Sequence, residues 1–577
     1  MSPQRAWVWR FALLVMLATS LPYLAGYVFQ GESWVFTGFV FGVEDGNSYI
    51  AKMLSGSAGA WLFRTPYTAE PQAGVAAFLP YLLLGKLAAA PGLHLQLVSL
   101  FHLFRTGAGL LAVHATYDFL ALFVAAEKWR RLALSLAVLG GGAGWVLLLL
   151  GQEGWLGSLP LEFYSPESFG FLGLYGLPHL SLARAALLWG LRLFLLHAAP
   201  GDFRRLSTGQ APAGPSREDV DREPAAGTGW KRELRAGFSI GGLWLLLALA
   251  QPVTAVLLGA LFGLVLLAAG IKILLTAQTG RPQLWPDWRR ALRLSILGGL
   301  VAAPFLLYTA WSFWTDPFLK AWTAQNLILS PHPFHYLLAY GPLLPFALLG
   351  ARRLLAEHPW GGLLPAVWVL ALPALAYAPL NLQRRLPEGV WVALCLLAVK
   401  GLQAWSERRR ADREAGRQVP AALRMAVPAL SLLLVFPSTL ALLLGGLLAA
   451  SRPGLPLFRP AAEVRAFDYL AGSAGPGEVV LCSFASGNAL PAWAPVQVVI
   501  GHGPESAGLA ELEPRVADYY RVETPDERRI ALLEQYQVDY VFWGPSEAAL
   551  GAWQPQPSPR LKEIYRDGEY AIFQVRR

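Results

Sequence analysis

Long uncharged apolar runs, separated by short polar stretches, set the rhythm of the chain. The first run, Phe11 to Phe29, follows Arg5 and Arg10 and at about 1.5 Å per residue spans roughly 30 Å of hydrocarbon. No small-residue cleavage site closes it and further runs follow, so it reads as a signal-anchor helix with a cytoplasmic N-terminus. Further crossings are predicted at 97–126, 132–150 and 179–198, then as two helices within 236–271 that meet at Gln251-Pro252. A helix reaching about Trp311 and segments at 334–350, 362–380, 388–405 and 424–450 complete about eleven spans. Residues 77–90, interrupted by proline and lysine, read as a re-entrant or surface-lying helix.

Charge orients this pattern. EKWRR (Glu127 to Arg131), a loop with Lys272, Arg281, Arg289, Arg290 and Arg293, the pair Arg352-Arg353 and SERRRADREAGR lie at one set of helix ends, whereas 151–178 carries Glu153, Glu162 and Glu167 but no Lys or Arg. Basic loops favour the cytoplasm, which puts the first external loop, 30–95, and the C-terminus outside. Segment 201–232, made of proline, glycine and charges, reads as a flexible cytoplasmic insert. The composition agrees: of 577 residues, 55% are hydrophobic and only 15% charged, against about a quarter charged in soluble domains. The net charge of +9 comes from these loops, so it marks topology and gives no reason to expect a nucleic-acid partner. Cys395 sits in an apolar run and Cys482 in a polar region, implying neither a disulfide framework nor a thiolate metal site.

The pattern changes near residue 452, dividing the chain into a multi-span domain, 1–451, and a terminal domain, 452–577. Helical stretches at 463–474, 509–520 and 525–536 alternate with strand-like EVVLCSF, VQVVIGH, VDYVFWGP and EYAIFQV. This predicts a small extracytoplasmic α/β domain, with no glycine fingerprint for a dinucleotide and no phosphate loop.

Candidate chemistry gathers on the outer side. FVFGVEDGNSYIAKM (Phe39 to Met53) puts adjacent carboxylates, Glu44 and Asp45, in a loop just beyond the first span; they are either chemical groups or two solvated acids. NLQRRLPEG breaks the charge rule by placing Arg384 and Arg385 outside, where two guanidiniums suit a phosphate or diphosphate headgroup. General lipid contact or an ion pair with Glu388 are the plainer readings. Glu162, Glu167 and His179 share that face and could hold a divalent metal, or be ordinary solvated acids with a histidine at a helix start. Beyond that possible divalent metal, the sequence makes no cofactor certain. Trp322, Gln325 and Asn326 could stack on and hydrogen-bond a sugar, although interfacial packing explains the tryptophan equally well. His502, in GHGPES, follows a strand and either faces the membrane mouth or is a turn histidine without chemical duty. Arg105 and Asp118 lie too far apart in one span to pair, so each is expected to meet another helix or an aqueous cavity.

An anchor helix, a first external loop with Glu44-Asp45 followed by Tyr49, about a dozen spans and a terminal extracytoplasmic α/β domain together resemble the GT-C superfamily of polyprenyl-phosphate-dependent glycosyltransferases, which includes protein O-mannosyltransferases, aminoarabinose transferases and oligosaccharyltransferases. The resemblance covers the whole chain as architecture and one short motif. It implies transfer of a sugar from a polyprenyl-phosphate donor to a glycan, lipid or protein acceptor at the outer face of the cell membrane. It further implies a first-loop carboxylate as base and basic residues on the lipid phosphate. Asp45 keeps the Asp-x-x-x-Tyr spacing and is the first choice for base; Glu44 is second, since the order of the pair is reversed from the common one. A multi-span transporter or lipid flippase, or an inactive GT-C-like scaffold, are the other readings. Against the first stand a single clear helix interruption, no evident repeat and a large first loop.

Overall fold

The computed structural model describes residues 2–203, 226–276, 284–415 and 428–576. Among the described residues nine helices are long and apolar enough to cross a membrane: Pro3–Phe29 (α1), Leu93–Leu120, Pro178–Ala198, Trp230–Ala250, Pro252–Leu275, Leu284–Thr315, Pro333–Glu357, Val390–Asp412 and Pro428–Ala450. The chain is a multi-pass membrane protein. The expected break at Gln251-Pro252 is present, between helices ending at Ala250 and starting at Pro252.

Two predicted crossings are broken rather than continuous. Segment 132–150 forms the helices Glu127–Leu139 and Trp145–Leu149, because the glycines from 140 to 144 give the turn up to close packing. A Cβ on Gly142 would sit 2.6 Å from the Ala339 Cα, and one on Gly144 2.6 Å from a Glu162 carboxylate oxygen. Segment 362–380 forms Leu363–Leu370 and Leu372–Ala376, and Pro373, which has no N–H to give, stands at the restart. The predicted insert falls largely outside the described residues (204–225), with helix at its edges, Pro200–Phe203 and the start of Ala226–Ala250. Arg281 also lies outside them. SERRRADREAGR continues the preceding helix as far as Glu414.

The chain forms two compact units: residues up to 17, 105–307 and 328–442 in the first, and 18–104, 308–327 and 443–576 in the second. In the first unit the two charges that share the helix Leu93–Leu120 each find partners on other helices. Asp118 accepts from Arg5 at 2.5 Å and from the Trp189 indole at 3.0 Å, and Arg105 donates to the Leu174 carbonyl at 3.2 Å.

In the second unit, strand β1 (Trp34–Phe36) pairs antiparallel with β2 (Phe458–Pro460). The remaining strands, β3 (Val479–Leu481), β4 (Gln497–Val498), β5 (Tyr540–Trp543), β6 (Leu561–Asp567) and β7 (Tyr570–Val575), form a sheet of order β4-β3-β5-β7-β6. Strand β3 runs parallel to β4 and β5, and β7 runs antiparallel to β5 and β6. Alternation assigns the faces. Val480, Phe542 and Ile572 enter one apolar cluster; Leu481, Val541 and Phe573 enter another. The sequence reading omitted β6, whose LKEIYRD is too charged to read as strand but pairs along an edge.

The first of those clusters also holds Phe39, Val43, Ile50, Met53 and Leu54. The acidic pair does not lie in a loop: Val43–Ser57 is a helix, α2, entered through Gly42 at φ 59°. DGNS has turn-like propensity, but an apolar face against the sheet, together with two acids in the first turn complementing the helix dipole, favours the helix. Residues 77–90 contain a seven-residue helix, α3 (Leu79–Gly85), far too short to cross.

Helices α2 and α3 touch backbone to backbone. A Cβ on Gly56 would meet the Leu82 carbonyl oxygen at 2.1 Å, and one on Gly85 the Met53 carbonyl oxygen at 1.8 Å. Gly85→Ala is therefore expected to cost about 1–3 kcal/mol through overpacking, read as a fall in the thermal midpoint of the purified protein; Gly59→Ala, where nothing lies within 4 Å of the added carbon, gives the strain of its positive φ without the clash.

Candidate active site

The first turn of α2 presents Glu44 and Asp45 to solvent, the Asp45 side chain being 57% exposed. A short turn after β4 holds both. The Gly503 N–H donates to Glu44 Oε1 at 3.1 Å, and His502 Nε2 lies 3.4 Å from Asp45 Oδ1. The turn is itself braced: Ser506 Oγ accepts from the Gly501 and His502 N–H groups at 3.0 and 3.1 Å. The Gln325 amide donates to the Pro504 and Ser506 carbonyls at 2.8 and 2.7 Å. Gln325 thus holds the turn that meets the acids, and that occupies its amide nitrogen.

Beneath the turn lies a buried charge pair. Lys52, on the inward face of α2, donates to Glu505 Oε1 at 2.6 Å, and Thr65 donates to Glu505 Oε2 at 2.5 Å. Lys52 also bonds Ser48 Oγ at 3.0 Å and stands 4.6 Å from the Phe78 ring centroid. The sequence reading missed Lys52, Thr65, Tyr67 and Glu505. Only a helical reading of 43–57 would have shown that Lys52 faces inward, and no local signal pairs it with a residue so distant in the chain.

These charges act on His502. Burial alone would lower its pKa, but the hydrogen bond to Asp45 and the charge of Glu505 outweigh that and leave it raised above the usual 6.5. The stability this contributes is fully present below the unfolded value and is lost as pH rises through the folded one. Burial, then Glu505, Glu44 and Asp45, push the Tyr67 phenol far up, so it stays neutral. Tyr49 lies one helical turn past Asp45 but stacks on Tyr81 at 4.6 Å. Trp322 is buried among Phe63, Phe78 and Phe318. Asn326 ends the helix Pro317–Gln325, its N–H donating to the Trp322 carbonyl at 2.9 Å.

The first unit carries the arginine pair, in the 3-10 turn Gln383–Arg385. Arg385 Nε lies 3.6 Å from Glu167 Oε1, and the Arg384 guanidinium 4.5 Å from the Tyr164 ring centroid. Glu388 is not their partner: it pairs with Arg184 at 2.6 Å, and Arg184 also donates to the Pro166 carbonyl at 2.9 Å. Arg384 Nε, Arg385 Nε and Glu167 Oε2 are each buried without a hydrogen-bond partner.

Glu162 is turned inward, accepting from the Gly144 N–H at 2.5 Å and from Ser438 Oγ at 3.2 Å, and burial raises its pKa. His179 is the second residue of the helix Pro178–Ala198. Glu162, Glu167 and His179 do not form a ligand set: among the described residues no three His, Cys, Asp or Glu side chains are grouped to hold a metal ion.

The helical bundle with a short terminal sheet is a fold similar to that of solved oligosaccharyltransferases. No family model and no curated protein matches the sequence; the likeness is one of structure. The chain is similar to the archaeal oligosaccharyltransferase AglB from Archaeoglobus fulgidus in complex with an inhibitory peptide and a dolichol-phosphate, at 12% identity over 94% of this chain and 70% of that one, TM-score 0.54. It is similar to the apo form of the A. fulgidus oligosaccharyltransferase (13% identity, 93% and 69% covered, TM-score 0.52) and to its complex with Zn and sulfate (12%, 93% and 67%, 0.50). The helical membrane fold with a terminal sheet, expected from the sequence, is the fold found.

Proposed function

We propose that the chain is a GT-C-type glycosyltransferase that moves a sugar from a polyprenyl-phosphate donor to an acceptor at the extracytoplasmic face of the cell membrane. Asp45 is the base and Glu44 its neighbour. The observation that carries the reading is an exposed carboxylate at a helix start, held in place by a braced turn and a buried ion pair rather than left as a free surface acid. An inverting transfer needs such a base at the acceptor and positive charge on the departing lipid phosphate. Arg384 and Arg385, whose Nε atoms make no hydrogen bond, supply that charge. The phosphate leaves as an anion, so no second carboxylic acid is needed. A neighbour of the same fold is described with a dolichol-phosphate, which supports a donor of this class. The sequence charge pattern supports an N-terminus in the cytoplasm and a C-terminal domain outside.

The test is turnover by the purified protein of lipid-phosphate sugars radiolabelled in, and extracted from, the cells that make it. Acceptor-dependent release of polyprenyl phosphate is expected; gradient-driven movement of the intact lipid in liposomes, without release, would instead favour a flippase. Arg385→Ala is expected to raise the donor KM by roughly 10- to 100-fold, the worth of one charge-assisted hydrogen bond, with a smaller change in kcat. An unchanged KM removes Arg385 from donor binding.

A further inference from the structure

His502 has an environment that packing alone does not explain. Its side chain is 7% exposed and both ring nitrogens face carboxylates: Nε2 lies 3.4 Å from Asp45 and Nδ1 3.8 Å from Glu505. Nδ1 is buried and makes no hydrogen bond. The ring also packs on Tyr67, with centroids 5.4 Å apart, and Lys52 stands behind Glu505 at 2.6 Å. The charged and titratable groups around the ring are therefore Asp45, Glu505, Lys52 and Tyr67, with Glu44 held to the adjacent Gly503. Glu505 is balanced by Lys52 and Thr65.

Neutral imidazole carries one N–H and would turn a lone pair toward one of the two acids. The imidazolium offers an N–H to each. Two carboxylates on opposite sides of one ring thus select the protonated form, and the Ser506 and Gln325 hydrogen bonds keep the ring where it is.

Resting on the assignment of Asp45 as base, we propose that His502 is a positioning residue for it: as the imidazolium, buttressed by Glu505, it donates to Asp45 Oδ1 and orients the carboxylate toward the acceptor. Transfer then has an alkaline limb set by loss of the His502 proton, after which Nδ1 presents a lone pair to Glu505 and the positive charge beside Asp45 is gone. Burial opposes the charged form, while the hydrogen bond to Asp45 and the charge of Glu505 favour it and raise the pKa.

The experiment is NMR of ring-labelled histidine in the full-length protein in nanodiscs, with His502→Gln used to find its signal among the nine histidines. His502 is expected to titrate above the free imidazole, and Asp45→Asn to lower its midpoint by about one pH unit or more, as loss of an adjacent opposite charge does. A midpoint unmoved by Asp45→Asn overturns the proposal. Kinetics on the extracted lipid-phosphate sugars supply the second arm. His502→Gln is expected to lower kcat and abolish the alkaline limb with the donor KM unchanged, whereas an equal loss at every pH, following the thermal midpoint, contradicts a positioning role. The two failures are separable: full transfer by Asp45→Asn overturns the base assignment, and the NMR coupling reads His502 independently of it.

Discussion

Asp45→Asn is expected to lower kcat for sugar transfer by about 10²- to 10⁴-fold, the range over which a positioned general base contributes, while leaving the donor KM nearly unchanged. The amide keeps the size of the side chain and still offers an oxygen to His502 Nε2, which lies 3.4 Å from Asp45 Oδ1, so the helix and turn stay in place and only the proton acceptor is lost. Glu44→Gln is the necessary companion. Glu44 Oε1 accepts from the Gly503 N–H, a bond that glutamine can also make, so a small effect there with a large one at Asp45 separates base from brace. The reverse result would move the base to Glu44. Equal activity in both variants would exclude the pair.

The largest expected loss of stability comes from Glu505→Ala. Lys52 and Glu505 are 0% and 3% exposed at their side chains, and removing one member leaves the other charge buried without its partner, at a cost of about 3–5 kcal/mol. The Phe78 ring and the Ser48 oxygens hold the ammonium but do not neutralise it. Lys52→Met combined with Glu505→Leu is expected to recover much of the loss, because an apolar pair of similar volume carries no desolvation cost. Thermal melts of the two variants check this; a single variant no less stable than the double would mean that the pair contributes nothing to holding the turn.

How far the sequence could be read depended on how local each signal is. Apolar runs are local and long, so the membrane helices and the break at Gln251-Pro252 were legible. The helices at 132–150 and 362–380 look continuous by hydropathy; the first is broken where the glycines near Gly142 pack against Ala339 and Glu162, and the second restarts at Pro373. The acids Glu44 and Asp45 stood out by position, but their helix did not, since DGNS favours a turn until the sheet supplies an apolar face. Lys52 and Glu505 were invisible because only tertiary packing joins them. Gln325 was legible as a polar residue in an aromatic stretch, and its partners were not: it grips three carbonyls of the turn.

The proposed mechanism depends on the base and the arginine pair both facing the outer side of the membrane. Single cysteines at positions 45 and 384, introduced one at a time with Cys395 and Cys482 replaced by serine, can be probed in intact cells with a membrane-impermeant maleimide. The account predicts that both are labelled from outside. Labelling of one from outside and of the other only after the membrane is opened would contradict it.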